Sequence, residues 1–159
     1  MANGPIVLSV ALQRYIDFTP VALRAREAAI AMAQARGTAL EVVTSEAPVS
    51  LMPDAQTTAE KLERFLVDLR GKGIEVNGHL LQGRPSEVVI PFLVSVGADM
   101  LVIGSHSKRG PLDVGLGGNA TAMVNNAPCC VLMIWPTQEE AERARELMIP
   151  GLPFVFPYG

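Results

Sequence analysis

The chain has 159 residues, a formal net charge of −3, 49% hydrophobic and 18% charged residues. That length suits one domain with its own core and is short for two; the hydrophobic content excludes a disordered chain, and the negative balance argues against a task of coating nucleic acid. No apolar stretch approaches the roughly 20 residues needed to cross a bilayer, and Met1-Ala2-Asn3-Gly4 lacks the basic segment and apolar run of a secretory signal, so a cytoplasmic location without membrane insertion is expected.

Residues 5–11 are a continuous apolar run after Gly4, which reads as a buried parallel strand. Thr19-Pro20 starts a helix, with a hydroxyl at the cap and proline at the first helical position; it runs to Arg36 and stops at Gly37. Residues 39–44 are a second apolar run, and residues 45–56, with two prolines, are a loop. Thr57-Thr58-Ala59-Glu60 matches a capping box; Leu62, Phe65, Leu66 and Leu69 follow at helical spacing, and Gly71 and Gly73 end that helix.

Residues 74–81 alternate in part, as a strand at or near a sheet edge does, which puts His79 on an exposed face. Pro85-Ser86-Glu87 starts a third helix whose apolar face includes Val89, Ile90, Leu93 and Val94; Pro91 lies inside it, where it can bend the helix, and Gly97 ends it. Residues 100–104 are a fourth strand, 119–126 a short helix and 129–135 a fifth strand. Residues 137–147 are charged and helix-prone, read as a solvated helix with internal ion pairs. In the tail, Pro150, Pro153 and Pro157 alternate with Phe154, Phe156 and Tyr158, and these apolar side chains are expected to dock on the domain or on a partner subunit. Apolar runs alternating with helices imply βα repeats and a parallel sheet, whose ligands bind beyond the carboxyl ends of the strands where the strand order reverses.

The most informative stretch is Leu101-Val102-Ile103-Gly104-Ser105-His106-Ser107-Lys108-Arg109-Gly110, followed by Gly117-Gly118-Asn119-Ala120. An apolar strand runs into a Gly-rich basic loop and then a helix start, an arrangement that aims backbone N–H groups and a helix dipole at one spot and stabilises an anion such as phosphate. The same glycines also serve simple turns. His106 either contacts a ligand at the strand end or packs as a loop histidine.

These residues, with Ile6-Val7-Leu8-Ser9-Val10, Gly83-Arg84-Pro85-Ser86-Glu87, Gly97-Ala98-Asp99-Met100 and Ala127-Pro128-Cys129-Cys130-Val131-Leu132-Met133-Ile134, resemble successive blocks of the universal stress protein family over residues 4–136. The resemblance implies an α/β fold with a doubly wound five-stranded parallel sheet in the order 3-2-1-4-5, Rossmann-like and of the adenine nucleotide alpha hydrolase-like type. It places the domain in residues 1–136 and the C-terminal helix and tail in 137–159, and it implies a homodimer joined partly through the fifth strands. Family members that bind ATP carry Gly-x-x-Gly, nine residues, then Gly-Ser or Gly-Thr, and end the first strand with an aspartate. This chain has Gly104, Ser107 at the second glycine, Gly117, Gly118 at the hydroxyl position, and Ala11 at the aspartate position.

The departures carry weight. A serine forced into the left-handed region costs about 1–2 kcal/mol, and a lost charged hydrogen bond about 1.5–3 kcal/mol; about 3 kcal/mol in total weakens binding by roughly two orders of magnitude. The backbone donors at Gly117, Gly118 and Asn119 remain, as do the cations Lys108 and Arg109, with Asn119 available as a side-chain donor and the backbone near Val43 lining the base pocket. The expected ligand is therefore ATP or AMP, weakly bound, in a stress-response module; the competing reading is a nucleotide-free interaction module acting through its dimer face and tail on an unidentified protein partner.

Enzymatic chemistry is not expected. Asp17, Asp54 and Asp113 form no catalytic pair, Ser105 and Ser107 have no nucleophile-elbow context, and no metal carboxylate or P-loop lysine frames a slow nucleotide hydrolysis. Two distant histidines and the adjacent Cys129 and Cys130 give no metal spacing, and the cysteines read as core or interface thiols.

Overall fold

A computed structural model of the chain describes residues 3–47, 57–105 and 118–149. The elements run β1 (Ile6–Ser9), α1 (Pro20–Arg36), β2 (Leu40–Glu46), α2 (Thr58–Val67), β3 (Val76–Gln82), α3 (Pro85–Val96), β4 (Met100–Gly104), α4 (Gly118–Asn126), β5 (Cys130–Ile134) and α5 (Gln138–Leu147). The strands form one parallel sheet in the order β3-β2-β1-β4-β5. Val7 sits between Glu41 of β2 and Leu101 of β4.

Helices cover both faces, which is why the central strands read as unbroken apolar runs. Ile6, Leu8, Leu40, Val42 and Val102 pack with α1 and α2. Val7, Val43, Leu101 and Ile103 pack with Val89 and Leu93 of α3 and Met123 of α4. On α1, Ala22, Ala25, Ala29 and Ala33 are buried; their small side chains bring the helix backbone close to the sheet.

The caps explain the helix limits. Thr19 accepts the Ala22 N–H at 3.1 Å ahead of Pro20, and Gly37 closes α1 in the left-handed conformation. Thr57 and Glu60 form the expected reciprocal capping box of α2. That helix ends earlier than its sequence suggests, at Val67 with Asp68 as its cap, and Gly71 (φ 88°) and Gly73 (φ 80°) make the turn beyond it. α3 continues through Pro91. Val94, expected on its apolar face, is 64% exposed, because the contact with the sheet is made by Val89 and Leu93.

Residues 137–147 also depart from expectation. Arg143 and Glu146 pair within the helix at 3.1 Å, but Glu140 pairs outward with Arg24 of α1 at 2.6 Å. The opposite face, Ala141, Ala144 and Leu147, is buried. α5 is a docked helix rather than a solvated one.

Candidate functional site

Beyond Ser9, the chain turns toward α1 on one face of the sheet; β4 precedes α4 on the other. The strand order reverses between these neighbours, so their carboxyl ends open a crevice. A cavity of about 150 Å³ lies there, lined by residues 9–15, Ala22 and Ala25 of α1, Ser45 at the end of β2, Pro85 at the start of α3, Ile103 to Ser105, and Asn119, Ala120 and Met123 of α4. Among these described residues none is Asp or Glu, and Arg14 supplies the cationic charge.

The cavity walls are built from specific restraints. A Cβ at Gly104 would run into the Val21 side chain, so the glycine lets α1 close on the strand end. Ser105, nearly buried, donates its N–H to the Ile134 carbonyl at 3.0 Å and keeps β4 and β5 aligned at the rim. Asn119 joins the starts of two helices: its Oδ1 accepts the Ser86 N–H at 3.2 Å. The first turn of α3 needs that acceptor, because Arg84 gives no side-chain cap and Pro85 has no N–H. The acceptor end of Asn119 is thus committed to α3.

Gln13 is the residue that the sequence did not flag. It is 3% exposed; its Nε2 donates to the Ala47 carbonyl at 2.9 Å and its Oε1 accepts the Ala47 N–H at 3.0 Å. This two-bond clasp ties the end of β2 to the segment after β1. Next to it, Arg14 and Tyr15 line the cavity. The Tyr15 carbonyl accepts from Nζ of Lys61, a residue only 1% exposed on α2, at 2.9 Å. Burial pushes the Tyr15 phenol above its ordinary value of 10.0, partly opposed by the Arg14 charge.

Of the residues singled out from sequence, Ala11, Gly104 and Asn119 line this cavity and Gly118 opens α4. Val43 stands apart from the lining: its side chain is fully buried in the layer facing α3 and its carbonyl accepts the Val10 N–H at 3.0 Å. Ser45, on the same face two residues nearer the carboxyl end of β2, occupies the lining position instead. His106, Ser107, Lys108, Arg109 and Gly117 lie outside the described residues, as do Asp54, Asp113 and 150–159.

The model of the universal stress protein family matches residues 15–134 of this chain. The chain belongs to the universal stress protein family. It is 32% identical over 127 residues to the "Universal stress protein in QAH/OAS sulfhydrylase 3'region" of Thermus aquaticus, a match covering 74% of this chain and 93% of the relative. A universal stress protein structure from Archaeoglobus fulgidus superposes with a TM-score of 0.68 at 26% identity, covering 84% of this chain and 95% of the other. An Archaeoglobus fulgidus universal stress protein solved in complex with dAMP gives a TM-score of 0.63 at 25% identity, covering 84% and 99%.

In this universal stress protein the remaining sequence candidates have structural partners. His79 faces α3 rather than open solvent, with Nε2 2.9 Å from Glu41 Oε2 and its ring centroid 4.8 Å from that of Phe92. Cys129 packs beside the α3 and α4 layer, and Cys130 is exposed at the start of β5. Burial, then the neighbouring Cys130 and Asp99, push the Cys129 thiol above its ordinary 9.0, which disfavours the reactive thiolate. Among the described residues, no cluster of His, Cys, Asp and Glu could hold a metal, and no helix is long and apolar enough to cross a membrane.

Proposed function

We propose that this chain is a non-catalytic regulatory module of the stress response that binds an adenine nucleotide, ATP or AMP, with low affinity. The reading rests on one observation: the cavity sits at the carboxyl ends of β1 and β4, where the starts of α3 and α4 also converge. Helix N-termini favour an anion by about 0.3–1 kcal/mol each. The similarity to the dAMP-bound Archaeoglobus fulgidus protein supports the same ligand class. In this reading Gly117, Gly118 and Asn119 supply donors, Lys108 and Arg109 screen phosphate, and Ala11 and Gly104 form the sugar-side wall. A cytoplasmic homodimer completes the proposal. Titration calorimetry with AMP and ATP is expected to show heat with a Kd in about the 10 µM to 1 mM range, roughly two orders of magnitude weaker than a site retaining both the second glycine and the first-strand carboxylate; silence at millimolar nucleotide would overturn the reading.

A second reading is favoured by a different observation. β5 is an edge strand with no charged residue, its last four residues are half-buried, and Trp135 beyond it is 43% exposed. Unpaired apolar edges invite pairing with another chain, so the module acts, in this reading, as a nucleotide-free dimer through that edge and its C-terminal tail. Native mass spectrometry of freshly purified protein separates the two: a dimer carrying a nucleotide mass supports the first, a bare dimer the second. A protein partner retained after Lys108→Ala with Arg109→Ala also favours the second.

A further inference from the structure

α5 begins after residue 134, where the family match ends, and it docks on the segment that lines the cavity. Ala144 and Leu147 pack with Tyr15 in a small apolar cluster separate from the two main cores. The backbones continue the contact as a single antiparallel bridge. The Ile16 N–H donates to the Leu147 carbonyl at 2.8 Å, the Ile149 N–H donates to the Arg14 carbonyl at 2.8 Å, and Tyr15 lies opposite Met148. Arg14 and Tyr15 are themselves cavity-lining residues.

We propose that α5 with residues 147–149 is a strap whose docking sets the shape of the cavity wall formed by Arg14 and Tyr15. Small satellite clusters open with less free energy than a central core, so the strap and the wall open as one unit while the sheet stays closed. A ligand that binds only the closed wall holds the strap down, and a loosened strap weakens the ligand by the same factor. The coupling to nucleotide rests on the function proposed above; the joint opening of strap and wall does not.

Native-state hydrogen exchange on the full chain tests it. The Ile16 and Ile149 amides and the interior amides of α5 are expected to exchange at one common rate, faster than those of β1 and β4. An Ile16 amide that keeps the rate of the sheet while α5 exchanges would overturn the strap. Leu147→Ala is expected to raise the Ile16 and Ile149 rates together by about tenfold or more, with β4 unchanged; a rise at Ile149 alone overturns it. If that variant loosens the whole sheet, the wild-type rates alone decide. Saturating AMP should slow strap and wall together. Slowing of the wall without the strap overturns the coupling, whereas no effect on any amide removes the nucleotide reading and leaves the common wild-type rate to decide the strap.

Discussion

Gln13 holds both ends of a buried backbone pair, the N–H and C=O of Ala47, with one side chain. Gln13→Ala removes both partners at once, and each buried group left unpaired costs about 1–3 kcal/mol. Urea unfolding is therefore expected to show a loss of about 2–4 kcal/mol, and a loss under about 1 kcal/mol would mean that the clasp contributes little. Tyr15 makes stability depend on pH in a definite direction. Its phenol holds the proton more tightly folded than unfolded, so its contribution is present below the unfolded value of about 10 and is lost as pH rises through the higher folded value. Tyr15→Phe should flatten the alkaline limb in thermal melts above about pH 10; an unchanged limb would assign the effect elsewhere, for instance to Cys129, which has the same sign. Caps were legible at this scale, because Thr19-Pro20, Thr57 with Glu60, and Gly37 act on neighbours in sequence. Gln13 and His79 were not: their partners, Ala47 and Glu41, lie 34 and 38 residues away and depend on strand register.

Strands were readable where the apolar run is unbroken, as in β1, β2 and β4, and α1 was readable from its caps rather than from any apolar period. α5 was misread because its buried stripe is Ala141, Ala144 and Leu147 among seven charged or amide neighbours, and alanine carries little apolar signal. Val94 erred the other way, an apolar residue on a helix whose contact face is narrower than its sequence. β5 is the element with the clearest unspent surface. Its Cys130 is exposed, so Cys130→Lys should leave the fold intact while placing a desolvated charge in the strand-to-strand pairing of the proposed dimer. Light scattering after size exclusion is expected to shift from dimer to monomer; a dimer of unchanged mass would move the interface away from β5.

For the molecule as a whole, the alternation of strands and helices told of a parallel sheet, but its order came into view only through resemblance to a family, since no local pattern says which strand lies beside which. The order in turn locates the cavity. It brings Ala11 after β1, Gly104 of β4 and Asn119 of α4 to one crevice, and puts Val43 on the face of β2 that α3 covers, where its side chain is buried. The C-terminal addition then reaches back across the molecule to residues 14–16.

Lys61 stands beneath that same stretch, its amine turned inward to the Tyr15 carbonyl and only 1% of the residue in contact with water. An acylating reagent in solution meets no nitrogen there while residues 12–17 lie flat. The extent of labelling at this lysine, read by mass, is thus a clock for how often the stretch lifts away from α2.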